Sequence, residues 1–147
     1  MFNRILVVCV GNICRSLMGE YLLRQQLAHR PEVIIESAGI GALVGKPADK
    51  TALEVLKENG IDASGHIARQ ATESLLASAD LILAMEEGHL RKLHSMAPQI
   101  RGKTFLLGKW IDNTEVPDPY RQQRPAFEHA YKLIDQATAA WLKYLDK

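Results

Sequence analysis

The chain of 147 residues has the size of one domain, so we expect residues 1–147 to fold as a single unit. Hydrophobic residues make up 47% of the chain and charged residues 24%, which excludes a disordered or fibrous protein. Lys and Arg together number 18 and Asp and Glu together number 17. The resulting net charge of +1 argues against a dedicated nucleic-acid-binding protein, which usually carries a strong basic excess.

The cysteine count and the lengths of the apolar runs indicate in which cellular compartment we expect the protein. The chain has 2 cysteines, Cys9 and Cys14, which are too few for a disulfide framework or a four-cysteine zinc site. The longest apolar run, residues 5–10, is far shorter than the roughly 20 residues that cross a bilayer. It also begins too close to the start of the chain for a signal peptide. We therefore expect a cytoplasmic protein with reduced thiols, no nucleic-acid partner and no direct membrane insertion.

Short apolar segments alternate with segments of helical pattern along the chain. Buried strands are predicted at residues 5–9, 33–35, 81–83 and 104–107. Helices are predicted from residue 16 to about 28, from after Asp49 to Gly60, from near Thr72, over residues 86–95, and along an apolar stripe from Phe127 to Leu145. This alternation predicts right-handed βαβ crossovers, and therefore an α/β fold whose parallel sheet is covered by helices on both faces.

In this class of fold, ligands bind beyond the carboxyl ends of the strands. The first such segment, residues 9–16, reads C-V-G-N-I-C-R-S. Gly11 and Asn12 are residue types that adopt left-handed backbone angles, and such turns can direct successive N–H groups toward an anion. The following helix adds its positive end, and Arg15 supplies a planar fork that matches two phosphate oxygens. These residues predict a site for a dianionic phosphoryl group, and we call them the phosphate loop.

Cys9 lies at the start of the phosphate loop, where the same positive field acts on its thiol. Helix N-termini and neighbouring cations lower thiol pKa values to roughly 3.5–7.5, and Ser16 could donate a hydrogen bond to the sulfur. The pattern predicts that Cys9 is a nucleophile at neutral pH. The alternative, a buried thiol at a strand end beside a solvated Arg15, does not explain why these residue types occur together.

A carboxylate near the C-terminus is the candidate general acid. Asp118 stands between Pro117 and Pro119 in residues 116–120, which we call the acid loop. The two prolines restrict the backbone around the carboxylate. The alternative is an ordinary turn aspartate, which we favour less because the phosphate loop supplies a matching nucleophile.

The phosphate loop resembles that of the low-molecular-weight protein-tyrosine phosphatases, and the aspartate motif of that family is present as Asp118-Pro119-Tyr120. The similarity extends over essentially the whole chain, including residues 36–39. It implies a flavodoxin-like three-layer fold with a central four-stranded parallel sheet. The chain departs from the usual family pattern at Leu17, where Pro is common, and at Gly19, where Ala is common.

The resemblance also implies roles for the site residues. Cys9 would attack the phosphorus, Arg15 would hold the phosphoryl oxygens, Ser16 would support the thiolate and Asn12 would maintain the loop. Asp118 would protonate the leaving phenolate oxygen and then activate the hydrolytic water, without a metal or a cofactor. The remaining phosphate-binding positions would be Val10, Gly11, Ile13 and Cys14, and the substrate ring would lie between Leu43 and Tyr120.

Ile13 bears on the choice of substrate. Related bacterial arginine phosphatases carry a threonine at that place, whereas an aliphatic side chain suits an aryl phosphate. The chain resembles most the bacterial branch, whose members commonly dephosphorylate tyrosine kinases that control capsule or exopolysaccharide export. We therefore expect a tyrosine-phosphorylated protein, a tyrosine autokinase, as the partner.

Two other functions fit less well. A thioredoxin-coupled arsenate reductase would need two further cysteines, and none follows Cys14. A catalytically inactive phosphopeptide-binding module would lack the thiol or the acid, and both Cys9 and Asp118 are present. Cys14 could form a reversible disulfide with Cys9 that protects it from overoxidation, or it could be a small buried residue of the loop.

The remaining histidines and arginines carry no predicted chemistry of their own. The histidines show no metal-ligand spacing, so we expect them on the surface; they are His29, His66, His89, His94 and His129. Arg69, Arg121 and Arg124 are expected to be solvated. Arg121 and Arg124 adjoin the acid loop, where they could contact an acidic phosphopeptide.

Overall fold

Four parallel strands form the central sheet of the computed structural model, which describes residues 2–146. The strands are β1 (Arg4–Cys9), β2 (Ile34–Gly39), β3 (Leu81–Ala84) and β4 (Thr104–Leu106). Their order across the sheet is β2-β1-β3-β4. The parallel α/β sheet predicted from the alternation of elements is confirmed.

Helices cover both faces of the sheet and complete the three layers. They are α1 (Arg15–Gln26), α2 (Lys50–Glu58), α3 (Glu73–Ser78), α4 (Glu87–Met96) and α5 (Arg124–Leu145), with 3-10 segments at Pro98–Lys103 and Leu107–Trp110. The larger core lies between the sheet and α1, α2 and α5, and the smaller one lies under α3 and α4. Across residues 2–146, no helix combines the length and the apolar character that a membrane crossing requires.

Strand β1 is central and buried on both faces, as its continuous apolar run predicts. Ile5, Val7 and Cys9 point into the larger core, whereas Leu6 and Val8 point into the smaller one. Because β1 ends at Cys9, the strand delivers this thiol to the edge of the sheet where the parallel strands terminate.

Strand β2 differs from the sequence-based expectation. Apolar character alone predicts a strand at residues 33–35, whereas the strand runs from Ile34 to Gly39. It continues through Glu36 and Ser37 because these residues pair with Leu6 and Val7 of β1. Backbone pairing with a buried neighbour thus extends the strand beyond its apolar segment and brings Ser37 next to the phosphate loop.

The two departures from the family pattern lie in the first turns of α1. The Leu17 side chain is fully buried in the larger core, so packing helps to hold the helix start where a proline would otherwise restrict it. A Cβ atom at Gly19 would lie 2.9 Å from Cγ1 of Val7. Glycine therefore lets α1 approach β1 closely at this point.

Candidate active site

A cleft of about 470 Å³ opens at the carboxyl edge of the sheet. It brings together the phosphate loop, the loop after β2 and the acid loop, which lie far apart in the sequence. Among its lining residues are both predicted ring-binding residues, each partly exposed. The full set is Cys9, Val10, Gly11, Asn12, Ile13, Cys14, Arg15, Gly41, Leu43, Asp118 and Tyr120.

The backbone of the phosphate loop is arranged to bind an anion. The carbonyl oxygens of residues 10–13 all accept hydrogen bonds from donors outside the loop. Within residues 2–146, in contrast, the N–H groups of residues 11–14 have no acceptor, so they are available to a ligand. The carbonyl pairs are Val10 with the Gly41 N–H, Gly11 with the Leu43 N–H, Asn12 with Nε2 of His66 and Ile13 with the Asp49 N–H, at 2.6–3.0 Å.

Asn12 holds the loop in this shape from within the core. It is fully buried and has a φ of 61°, in the left-handed region, whereas Gly11 does not adopt a positive φ. Its Nδ2 donates to Oγ of Ser16 at 2.7 Å and to Oγ of Ser37 at 3.0 Å. Its Oδ1 accepts from the backbone N–H of Arg69 at 3.0 Å. Asn12 therefore ties the loop to α1, to β2 and to the segment before α3.

The Cys9 thiol has a built-in hydrogen-bond partner. Its Sγ lies 2.9 Å from Oγ of Ser16, and both side chains are buried. Either atom can donate in this pair; when the sulfur is a thiolate it can only accept, and the Ser16 hydroxyl, which also accepts a hydrogen bond from Asn12, is then the donor. A hydroxyl that donates to sulfur stabilises the thiolate relative to the thiol.

Arg15 is buried, with 2% of its side chain exposed, and is not the solvated charge of the alternative interpretation. Its Nη1 donates to the carbonyl of Val116 at 2.8 Å and to the carboxylate of Glu86. Its Nη2 lies 3.6 Å from Oδ2 of Asp118. The guanidinium thus joins the phosphate loop to the segment after β3 and to the acid loop.

Asp118 is the exposed member of this arrangement, with 47% of its side chain accessible. Its Oδ1 accepts a hydrogen bond from the Tyr120 N–H at 3.0 Å, which closes a tight turn. The same carboxylate faces Arg15 across the cleft mouth. An acid at this place has access both to solvent water and to a ligand held by the phosphate loop.

Sequence reasoning missed Glu86, Ser37 and His66. Glu86 and Ser37 adjoin or belong to strands that end at the site, so the rule that ligands bind at strand ends could have suggested them. His66 lies in an irregular segment, and no local pattern indicates its contact with the carbonyl of Asn12.

The expectation that all histidines lie on the surface is wrong for His66 and His89, which are both buried. His66 packs against the phosphate loop, and its Nε2 carries the hydrogen that the Asn12 carbonyl accepts. Burial, and then the positive charge of Arg15, lowers the pKa of His89. Across residues 2–146, no group of three or more His, Cys, Asp or Glu side chains is placed to hold a metal ion.

Residues 4–147 match the family described as low molecular weight phosphotyrosine protein phosphatase. The chain belongs to this family.

Relatives of known name and structure agree with this membership. The chain is 49% identical over 146 residues to the low molecular weight protein-tyrosine-phosphatase Wzb of Escherichia coli K12, covering 99% of this chain and 97% of that protein. Wzb of Vibrio vulnificus, solved in complex with benzylphosphonate, is 53% identical with a TM-score of 0.93, covering 98% of this chain and 99% of that one.

An arginine phosphatase shares the fold at a lower identity. The YwlE arginine phosphatase from Geobacillus stearothermophilus is 32% identical with a TM-score of 0.89, covering 97% of this chain and 92% of that one. The fold therefore does not distinguish the two substrate classes. That distinction depends on the side chains that line the cleft.

Cys14 is the second thiol of the phosphate loop in this chain. Both cysteines are free and buried. Burial, followed by the negative charge of Asp49, raises the pKa of Cys14 far above its usual range, so its thiol is protonated. A disulfide between Cys9 and Cys14 under oxidation stays a prediction. Poorer dithiol recovery of peroxide-treated Cys14→Ser than of wild type would support it, and identical recovery would contradict it.

Proposed function

We propose that this chain hydrolyses phosphotyrosine in proteins through a cysteinyl-phosphate intermediate on Cys9. One observation carries the proposal: a single cleft holds the Cys9 thiol, the unpaired N–H groups of residues 11–14, the buried guanidinium of Arg15 and the carboxyl of Asp118. These are the groups that a phosphate-monoester hydrolase with a covalent intermediate requires.

In the first step, the loop N–H groups and Arg15 hold the phosphoryl oxygens above Cys9. The sulfur attacks phosphorus, an S–P bond forms, and the bond between phosphorus and the tyrosyl oxygen breaks. Asp118 supplies the proton that the leaving phenolate oxygen takes up. The charge that develops on the phosphoryl oxygens faces donors already in position.

In the second step, water attacks the phosphorus of the cysteinyl-phosphate. The Asp118 carboxylate removes a proton from this water, and the S–P bond breaks. Inorganic phosphate leaves, and the Cys9 thiolate is restored beside the Ser16 hydroxyl 2.9 Å away. Neither step uses a metal or a cofactor.

The lining of the cleft supports an aryl phosphate as the substrate. Ile13, Leu43 and Tyr120 supply apolar surface around the phosphate loop, which suits a phenyl ring. The Vibrio vulnificus relative was solved with benzylphosphonate, a phenyl ring linked through one carbon to a phosphonate. By family resemblance, we propose a cytoplasmic location and a tyrosine autokinase of capsule or exopolysaccharide production as the physiological partner.

The test of this proposal is hydrolysis, in the presence of a metal chelator, of an aryl phosphate and of a tyrosine-phosphorylated kinase tail. We expect turnover of both by the wild type and a loss of at least about 10⁴-fold in Cys9→Ala, because the variant lacks the thiol that attacks the phosphorus. Cys9→Ser should retain the phosphorylated tail on a column, and its dephosphorylated form should pass through. Faster hydrolysis of a phosphoarginine peptide than of a phosphotyrosine peptide would overturn the substrate assignment.

The acid role of Asp118 has its own test. In Asp118→Ala we expect a loss of roughly 10²- to 10⁴-fold for aryl phosphates with poor leaving groups. The loss should shrink as the leaving phenol becomes more acidic, because such a phenolate departs without a proton. Equal losses across the series would remove Asp118 from this role.

A further inference from the structure

Two arginines follow the acid loop, and the structure gives them different surroundings. Arg124, at the start of α5, forms ion pairs with the carboxylates of Glu58, Glu128 and Glu54, the last two at 3.3 and 4.0 Å. The guanidinium of Arg121 instead lies 5.2 Å from the ring centroid of Tyr120. Within residues 2–146, no carboxylate lies within ion-pair distance of Arg121, so its charge is uncompensated.

The backbone at Arg121 is in a conformation that favours glycine. Its φ is 63°, and it is the third residue of a turn closed by the Gln122 N–H, which donates to the carbonyl of Pro119 at 2.9 Å. A positive φ at this position alone is typical of a type II turn, in which glycine is preferred. The turn thus presents a long cationic side chain at a place where glycine would relieve strain, and strained residues tend to occur at functional sites.

The contact with Tyr120 places the Arg121 charge beside the active-site cleft. Tyr120, against which the guanidinium stacks, lines this cleft together with Cys9 and Asp118. The stacking restricts the side chain to the ring that also borders the substrate. Because one extended residue spans only about 3.3–3.6 Å, residues next to a bound phosphotyrosine come within reach of this cation.

We propose that Arg121 determines substrate preference by binding an acidic side chain next to the phosphotyrosine of the protein substrate. This rests on the proposed function, since it assumes that a phosphotyrosine occupies the cleft. Arg124 has no such role, because three carboxylates of the chain itself compensate its charge. The fold therefore leaves one of the two cations available to a partner.

The experiment compares two phosphotyrosine peptides that differ only in having Glu or Gln on each side of the phosphotyrosine. The readout is the ratio of kcat/KM for the Glu peptide to that for the Gln peptide. For the wild type at low salt we expect a ratio of about two to five, carried by KM, as measured for exposed ion pairs. The ratio should fall toward one at about 0.5 M NaCl, where exposed charges are screened.

Arg121→Gln and Arg124→Gln form a matched pair, because each removes one positive charge beside the acid loop. We expect the first to bring the ratio close to one and the second to keep the wild-type ratio. Each ratio compares two peptides on the same variant. A shift of the Tyr120 ring that changes kcat/KM for both peptides equally therefore leaves the ratio unchanged. Arg121→Lys, which keeps the charge, should retain part of the preference.

Arg121→Gly separates recognition from folding. Glycine fits a φ of 63° without strain, so we expect a higher thermal midpoint together with a ratio near one. A wild-type ratio of one, or an unchanged ratio in Arg121→Gln, would overturn the assignment of Arg121. Failure of the wild type to hydrolyse either peptide would overturn the proposed function itself, and this result is distinguishable from the others.

Discussion

The phosphate loop and the acid loop are joined by the Arg15 guanidinium and are built differently. The phosphate loop is largely buried, and its carbonyls are bonded to several other segments of the chain. The acid loop leaves Asp118 and Tyr120 exposed, and turn contacts such as that between Asp118 and the Tyr120 N–H hold it. The phosphate loop is tied to the core along its length, whereas the acid loop is tied to the core at Val116 and its exposed tip is held by its own turn.

This difference separates two tasks. Groups that stabilise developing charge act best when they are in position before the substrate arrives, which the buried loop provides. A protein substrate, in contrast, must approach from solvent, and an exposed loop can contact its neighbouring residues. Mutations in the first loop should therefore alter both stability and turnover, whereas those in the second should alter turnover or selectivity alone.

The largest expected effect on stability comes from Asn12→Ala. The change removes buried hydrogen bonds to Ser16, Ser37 and Arg69. Because unpaired buried groups are costly, we expect the free energy of unfolding to fall by about 2–4 kcal/mol. Turnover should fall by about 10²-fold or more as the loop loses its geometry. Urea denaturation and aryl phosphate kinetics measure the two effects.

Asp118→Asn is the counterpart in the acid loop. Because Asp118 is half exposed, we expect its replacement to change the free energy of unfolding by less than about 0.5 kcal/mol. If Asn12→Ala and Asp118→Asn destabilised the protein equally, the contrast between the two loops would be wrong.

Gly39→Ala should strain the phosphate loop, and Gly108→Ala should strain the segment that leads into the acid loop. A Cβ atom at Gly39 would lie 2.2 Å from the carbonyl oxygen of Val10, in the phosphate loop. A Cβ atom at Gly108 would lie 2.0 Å from the carbonyl oxygen of Thr114, just before the acid loop. We expect each to cost about 1–3 kcal/mol of stability through overpacking.

The two glycine variants should differ in their kinetics. Gly39→Ala should slow the hydrolysis of all aryl phosphates, whereas Gly108→Ala should act most on poor leaving groups, which need Asp118. Gly102→Ala is the control for stability, because a Cβ atom there meets nothing within 4 Å. The same leaving-group dependence in Gly39→Ala and Gly108→Ala would contradict the division of tasks.

Glu86→Gln tests the contact that positions Arg15 between the loops. The Glu86 carboxylate accepts a hydrogen bond from the buried guanidinium, and hydrogen bonds between charged groups contribute more than neutral ones. We expect about tenfold weaker inhibition by inorganic phosphate, with a smaller change in kcat. Unchanged phosphate inhibition would show that Arg15 is held without Glu86.

The smallest effect concerns pH and His89, which lies near both loops. Its pKa in the folded protein is below the ordinary value of 6.5 because of burial and Arg15. A neutral buried His89 therefore contributes stability that is present above pH 6.5 and is lost as the pH falls below it. We expect the free energy of unfolding to decrease from pH 7 toward pH 5, as measured by urea denaturation. The decrease should be smaller in His89→Asn, and an identical decrease would contradict the role of His89.

Local sequence patterns predicted most of the fold and the central chemistry. The strand at β1 and the turn that follows it are encoded by adjacent residues, so Cys9, Asn12 and Arg15 could be predicted as site residues from the amino-acid sequence alone. The length of β2 could not be predicted from the sequence, because Glu36 and Ser37 are held in the strand by pairing with β1. Glu86 and His66 contact the phosphate loop only after the strands and loops assemble.

The sequence by itself predicted the candidate nucleophile Cys9, the phosphate-binding turn and the proline-bounded candidate acid Asp118, because short-range spacing sets which groups a loop can present. Only the tertiary structure decided which of the arginines around the site are paired with carboxylates. Arg15 is paired with Glu86, and Arg124 is paired with Glu58, whereas Arg121 remains available on the ring of Tyr120. Ion pairing between distant residues depends on the packing of whole elements, and no local pattern encodes it.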